Sequence, residues 1–324
     1  MTGKRIITLV LIIAVLALLA ALPAVVSRDS IINMAVLVLL YVALASSWNI
    51  LGGYTGQTNL GHAAFFGLGG LTTRLLWLSA GWSLFPSLLA GAGAATTLAL
   101  IIGTPAFKLK GVYFAIGTLA LGQVLNVTVG DMFPMITSLP VQQLVSYQLL
   151  PRYYLFVGLA VLTVGTAYVL VNSRLGLGMM AVREEEEAAE SLGVSAFRHK
   201  LLALVVSAFL AGLTGGAFAF YHVGYYPQFL FSPVWTFDAL MMAYIGGTGT
   251  IIGPIIGALF FVVAKELLAL RLVEIHLTVF GTLFILVVLF LPGGFVQAWA
   301  SIRRALVRQL GARGVRLASR RQAS

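Results

Sequence analysis

The sequence predicts an all-α protein: a polytopic bundle of about eight to ten membrane-crossing helices, some of them broken or re-entrant. Three observations carry that prediction. Of the 324 residues, 60% are hydrophobic and only 9% are charged, against about 25% charged in an ordinary soluble chain. Mean hydropathy is +1.00, and surface grows too fast with mass for a soluble domain of this size to hide that much apolar side chain. The apolar residues also fall into runs of membrane length. A soluble enzyme, a disordered chain and a nucleic-acid-binding domain are thereby excluded.

The first run, Ile6–Val26, is bounded by Arg5 and Arg28. Lys4-Arg5 and the small residues near Pro23-Ala24 resemble the flanks of a signal peptide. The apolar stretch, however, exceeds the roughly 7–15 residues of a signal core, so it reads as a retained first span. Further runs are Ile31–Leu51, Leu60–Ala80, Leu84–Phe107, Val112–Val129, Tyr153–Val171, Leu201–His222, Ala239–Ala264 and Leu277–Val296. The connection Asp131–Arg152, with Pro134, Pro140 and Pro151, is expected outside. The polar stretch 172–200 is expected in the cytoplasm. One transmembrane domain, residues 1–302, then ends in a basic tail, residues 303–324.

Charge placement sets the orientation. Lys4 and Arg5 stand at one end and seven arginines at the other: Arg303, Arg304, Arg308, Arg313, Arg316, Arg320 and Arg321. Basic residues flanking apolar spans mark the cytoplasmic side, so both termini are expected there, and the tail also suits anionic lipid headgroups. No basic face interleaved with aromatics accompanies the charge, so nucleic acid is not expected as a partner. The absence of cysteine excludes disulfides and thiolate metal sites.

With both termini on one side the crossings must be even in number, yet nine runs are present. Ala239–Ala264 carries Gly246-Gly247-Thr248-Gly249-Thr250-Ile251-Ile252-Gly253-Pro254 in its middle, and glycine and proline at that density break a helix. It therefore reads as a discontinuous segment, two short membrane pieces. The second break is Gly52-Gly53-Tyr54-Thr55-Gly56-Gln57-Thr58-Asn59-Leu60-Gly61. Broken backbone at membrane depth is tolerated only where protein buries it or where it lines a watery cavity. Either stretch alone reads as close helix packing through small residues; the pair, at comparable places in the two halves, points to a transport pathway.

Ionisable residues inside a membrane are functional candidates by default. His62 and Arg74 fall in the third run; Asp131, Asp238, Lys265 and Glu266 fall at run ends. His62 reads as structural, Arg74 as snorkelling to the outer interface, and Asp238 and Glu266 as interfacial. No carboxylate is expected mid-span, which disfavours a proton- or sodium-driven carrier. No lysine stands in a GxxxxGK[ST] loop and no HExxH occurs, so neither a nucleotide-hydrolysing nor a zinc-protease site is expected. The chain reads as a passive pathway, not an enzyme, with no cofactor and with its energy drawn from elsewhere.

Residues 183–193 read Arg183-Glu184-Glu185-Glu186-Glu187-Ala188-Ala189-Glu190-Ser191-Leu192-Gly193. Glutamates complement a helix N-terminus, alanines propagate the helix and Gly193 suits its C-terminal cap. Ala181, Ala188 and Leu192 recur at helical spacing. Such a helix is shaped to dock in a partner's groove, with Ala188, Ala189 and Leu192 as anchors and the glutamates against basic residues. Most charge runs are solvated faces, and spacing alone does not choose between the two.

Glu187-Ala188-Ala189, three residues and then Gly193, resembles the EAA signature of ABC-importer permeases, the loop that meets the ATPase. Trp48-Asn49-Ile50-Leu51-Gly52-Gly53-Tyr54-Thr55-Gly56-Gln57-Thr58-Asn59-Leu60-Gly61-His62-Ala63-Ala64-Phe65-Phe66-Gly67 is similar to the N-terminal signature of LivM-type permeases of branched-chain amino acid importers. Lys110-Gly111-Val112-Tyr113-Phe114-Ala115-Ile116-Gly117-Thr118-Leu119 resembles their next hallmark, and Ser173–Gly193 and Gly246–Gly257 follow in the family's order. The sister LivH-type subunit fits less well, its first motif reading closer to INFAHGE. Two departures stand out: the loop Asp131–Pro140 lacks the family's glycine-rich pattern, and four glutamates precede Ala188.

The resemblance implies a type II-like ABC importer permease in a bacterial plasma (inner) membrane. A LivH-type sister permease, two ABC ATPase subunits and a periplasmic or extracytoplasmic substrate-binding protein would complete it. Arg183, Glu184, Glu187, Ala188, Ala189, Leu192 and Gly193 would form the ATPase-coupling element. Gly53, Thr55, Gly56, Gln57, Asn59, Gly61, His62, Thr118, Gly246, Gly247, Thr248, Gly249 and Gly253 would border the translocation pathway. The alternatives are an ion-driven transporter or channel acting alone, a non-transporting membrane assembly subunit, and an ABC permease for urea or short amides.

Overall fold

The computed structural model describes residues 3–26, 28–132, 137–138, 144–145 and 147–271, with positions 275, 279, 281–282, 285–286, 289–290, 293–301 and 303. The helices begin with α1 (Gly3–Val25), α2 (Asp29–Gly52), α3 (His62–Leu78), α4 (Leu84–Ala106), α5 (Val112–Met132) and α6 (Leu149–Val171). Then come α7 (Arg174–Glu184), α8 (Glu186–Ser191), α9 (Ala196–Tyr221), α10 (Pro227–Leu230), α11 (Pro233–Gly246) and α12 (Gly253–Arg271). A two-residue ladder, β1 (Thr137–Ser138) with β2 (Gly224–Tyr225), is the strand structure among the described residues. The protein is a helical membrane bundle: seven of the described helical stretches are long and apolar enough to cross a bilayer.

Burial sorts the helices. In α2 every residue from Leu39 to Leu51 is buried, and α9 is buried along most of its length; helices apolar all round belong in the interior. In α5 the buried positions Phe114, Thr118, Gly122 and Val129 form one stripe, with Val112, Tyr113, Ile116, Val124 and Val127 exposed, as a lipid-facing helix requires. Helix α1 is peripheral. The hydroxyls of Tyr153 and Tyr154 on α6 donate to its Leu19 and Ala20 carbonyls at 2.7 and 3.1 Å.

The tightest packing joins α3, α4 and α9. Lipid tails are as apolar as leucine, so membrane helices gain by close backbone contact rather than by burial from water. Gly215 of α9 lies directly against the Phe66 backbone of α3, where a Cβ would collide with the Phe66 carbonyl; Gly69 meets Gly212 in the same way.

The run Ala239–Ala264 is two helices, α11 and α12, separated by Gly247–Ile252, as its glycine and proline density predicts. Three expectations change. Helix α11 starts at Pro233 rather than Ala239. Asp238 therefore sits inside α11, 8% exposed, not at an interface. Arg74 does not snorkel: it is buried and donates to the Ala219 carbonyl at 2.8 Å. Arg152, also buried, donates to the Phe220 carbonyl at 3.1 Å. Both guanidiniums thus satisfy the free carbonyls at the C-terminus of α9, where a cation also complements the helix dipole. The run Leu277–Val296 is described only at scattered positions, the connection Asp131–Arg152 only in part, and the basic tail beyond Arg303 lies outside the described residues.

Helices α7 and α8 connect the C-terminus of α6 to the N-terminus of α9; that face is termed proximal here, and the face at the start of α6 and the end of α9 distal.

Candidate functional site

The first glycine-rich break occupies Gly53–Gly61, between α2 and α3. A helix start leaves amides without intrahelical partners, and in a buried place each must find one. The polar side chains nearby do this work. Asn59 Oδ1 accepts from the Gly61 amide at 2.9 Å, Thr118 Oγ1 from Leu60 at 3.1 Å, and Thr236 Oγ1 from Ala63 at 2.7 Å. Trp48 Nε1 donates to the Asn59 carbonyl at 2.8 Å. His62, fully buried, is hydrogen-bonded to Ser47 at 3.0 Å, which pins the start of α3 one turn up from the end of α2. Thr55 donates to the Leu51 carbonyl. These groups hold the break together locally.

The second break, Gly247–Ile252, is built the same way. Thr250 Oγ1 accepts from the Gly253 amide at 3.0 Å, capping α12, and donates to the Gly247 carbonyl at 2.8 Å. The backbone of Gly293 and Gly294 passes beside Gly246–Gly247. The two breaks then meet. Asn49, in the last turn of α2, donates through Nδ2 to the Thr250 carbonyl at 3.0 Å and accepts the Gly249 amide on Oδ1 at 2.9 Å. One side-chain amide thus pairs both ways across about 200 residues of sequence, a bidentate contact that fixes register as well as distance.

Arg183, from the end of α7, reaches the same place. Its guanidinium donates to the Gly53 carbonyl at 2.7 Å, its stem packs on Gly56, and its head lies against Gly249. Gly249 has φ +74°, a conformation side chains resist, and a Cβ there would collide with the guanidinium. The proximal junction therefore gathers Asn49, Gly53, Gly56, Arg183, Gly249 and Thr250.

The segment between α6 and α9 differs from the sequence expectation in its detail. The glutamates do not share one helix: Glu184 closes α7, Glu185 is extended, and Glu186 and Glu187 form the first turn of α8. The segment also has a small core of its own, in which Val182, Ala189 and Ala196 are buried against Ala181 and Val194. Ala189 thus faces inward and is not an apolar anchor for a partner. Ala188 is exposed and Leu192 is 86% exposed, an apolar residue left uncovered among the described residues. Gly193 closes the turn at φ +83°, as a helix C-terminal glycine does.

Lys200, with its side chain 5% exposed, pairs with Glu186 at 2.6 Å. Glu186→Ala leaves a buried ammonium without its partner. The expected loss is about 1 kcal/mol, discounted because Glu186 is itself 35% exposed, read as a lower midpoint in thermal unfolding of the purified protein.

Of the residues expected along a pathway, Gly53, Thr55, Asn59, Gly61, His62, Thr118, Gly246, Gly247 and Gly253 are buried, Gln57, Thr248 and Gly249 are half-buried, and Gly56 is exposed. The two breaks do lie together. Asn49 and Thr236 were not singled out from the sequence; the signal for Asn49 was an amide in an otherwise apolar helix, just ahead of a glycine-rich break.

A family model described as "Branched-chain amino acid transport system / permease component" matches residues 30–288. The chain is 28% identical over 320 residues to the high-affinity branched-chain amino acid transport system permease protein LivM of Escherichia coli (strain K12), covering 88% of this chain and 74% of that one. The Salmonella typhimurium protein of the same name matches to the same extent. A probable branched-chain amino acid transport permease protein LivM of Methanocaldococcus jannaschii is 23% identical, over 79% of this chain and 90% of its own. No solved structure matches at a significant level.

Proposed function

Because the chain belongs to the family of permease components of branched-chain amino acid transport systems, we propose that it forms half of the membrane pathway of an ATP-driven importer for branched-chain amino acids. A permease component works with other subunits of its system. Here these are a LivH-type sister permease, two ABC ATPases on the proximal face and an extracytoplasmic binding protein on the distal face. The proximal face is cytoplasmic, in a bacterial plasma (inner) membrane. The split of Ala239–Ala264 into two helices supports this orientation, since ten crossings, unlike nine, are compatible with both termini on one side. Residues 1–302 act as one permease domain with a tail at 303–324.

The observation that carries the mechanism is the position of Arg183 between the coupling segment and both glycine-rich breaks. Exposed Ala188 and Leu192, with Glu184 and Glu187 beside them, form the surface that an ATPase groove covers; Ala189 supports that surface from behind. Closure of the ATPases moves α8, the motion passes through α7 to Arg183, and the junction of the two breaks shifts with it. Gly56, Gln57, Thr248 and Gly249, which are exposed or half-buried there, border the route on the cytoplasmic side.

The test is reconstitution of the whole importer in liposomes. Uptake of leucine, isoleucine or valine is expected to require both ATP and the binding protein. Uptake by this chain alone under an ion gradient, without ATP, would overturn the reading.

A further inference from the structure

The distal face carries an open cavity of about 510 Å³ whose lining includes Leu37, Tyr147, Phe218, Tyr221, Phe229 and Trp235. The polar ends of Tyr147, Tyr221 and Trp235 are already engaged. Tyr147 donates its hydroxyl to the Tyr221 carbonyl at 3.1 Å, Tyr221 donates to Asn33 Oδ1 at 3.1 Å, and Trp235 Nε1 donates to the Phe229 carbonyl at 3.0 Å. Burial raises the Tyr147 phenol above its ordinary range, against the opposing pull of Arg152, so it remains a donor. What these residues turn to the cavity is ring face and hydrocarbon, the lining that suits an aliphatic side chain.

The floor is the Trp235 ring, packed 5.0 Å from Phe218 and 5.9 Å from Tyr41. Leu37 and Tyr41 are one turn apart on α2, and Trp235 and Asp238 are one turn apart on α11. Tyr41 and Asp238 therefore lie one turn deeper than the cavity wall. There the Tyr41 hydroxyl donates to Asp238 Oδ2 at 3.0 Å. Lys265, over the Phe261 ring at 5.4 Å, is the cation whose field reaches this carboxylate. A carboxylate inside a membrane bundle is costly and marks a path for charge, and one phenol hydroxyl uses only a part of what a carboxylate can accept.

We infer that this cavity and Asp238 form the outward part of the solute route. The aromatic walls take the aliphatic side chain of a free amino acid, and the Asp238 carboxylate receives its α-ammonium as the solute passes the Tyr41–Trp235 floor. The inference rests on the reading of the chain as an amino acid permease, and it gives the membrane subunit a part in recognition besides that of the binding protein.

The chain contains no cysteine, so Val223→Cys, on the cavity rim, introduces the one thiol of this subunit. In the complete importer in proteoliposomes, a membrane-impermeant thiosulfonate reagent is expected to label it from the distal side. Leucine delivered by the binding protein should slow that labelling, and the binding protein without leucine should not. Asp238→Asn should abolish the protection and lower ATP-driven leucine uptake by about tenfold or more, whereas Asp238→Glu should retain a measurable part of both. Phe229→Ser, on a wall position that is 47% exposed, should weaken the protection by itself.

Labelling that ignores leucine, protection by the empty binding protein, or wild-type uptake in Asp238→Asn would each overturn the inference. The second of these would make the cavity the seat of a partner loop. A wild-type importer that moves no amino acid with ATP would overturn the functional reading instead, so the two failures are told apart.

Discussion

Arg183→Ala is expected to abolish ATP-driven uptake while the subunit still folds, inserts and binds its ATPases. The guanidinium makes a charge-assisted hydrogen bond to the Gly53 carbonyl and fills the space beside Gly249, and such a bond is worth about 1.5–3 kcal/mol. That is small against the folding of a large helical bundle. It is large against a coupling equilibrium, where about 1.4 kcal/mol is a factor of ten. ATP hydrolysis should continue, decoupled from transport. Arg183→Lys is not expected to restore uptake, because an ammonium is a point charge that cannot both reach Gly53 and pack flat on Gly249. Gly249→Ala should reproduce the defect from the other side, since it strains a positive-φ position and displaces the same guanidinium. Leucine uptake and ATPase rate, measured on the same proteoliposomes, check the result. Wild-type uptake in Arg183→Ala would remove Arg183 from the mechanism, whatever the ATPase rate.

Gly215→Leu is expected to yield no folded permease at all. The substitution drives four carbon atoms into the Phe66 backbone at the α3–α9 crossing. Neither helix can retreat easily, because Gly69 against Gly212 and Gly91 against Gly69 lock α3 between α9 and α4. Overpacking in an interior that can adjust costs about 1–3 kcal/mol; here the obstacle is backbone, so the cost lies at or beyond the upper end. Gly158→Leu on α6 is the matched control, since nothing lies within 4 Å of the position its Cβ would take. The control should give a normal monodisperse peak in detergent, and Gly215→Leu an aggregate or none. Equal recovery of the two variants would show that the α3–α9 crossing can open.

The spans were legible because lipid imposes a length and a hydropathy that few other environments do, and both broken stretches were legible from glycine density. What the sequence could not state was which helix ends meet. Arg74 reads as a snorkelling residue from its distance to the end of α3. In the structure a neighbouring helix, α9, brings the carbonyl of Ala219 to it first. Asp238 reads as interfacial because the apolar run is taken to begin at Ala239, whereas proline in the first turn of α11, with Ser232 Oγ accepting from Val234, starts the helix earlier. Ala189 looks like an anchor by its spacing until Val182 and Ala196 close over it. Asn49 and Arg183 illustrate the general difficulty. Each is a single polar residue whose importance comes from backbone that arrives from far along the chain.

The contact between Arg183 and the two breaks has a consequence that runs against the direction of the ATP cycle. A coupling free energy between two sites is reciprocal. If nucleotide-driven displacement of the coupling segment biases the junction of Gly53 and Gly249, then a solute that favours one arrangement of that junction biases the coupling segment by the same amount. The permease thereby reports its loading to the ATPases, and the nucleotide affinity of the assembly depends on whether the route is occupied.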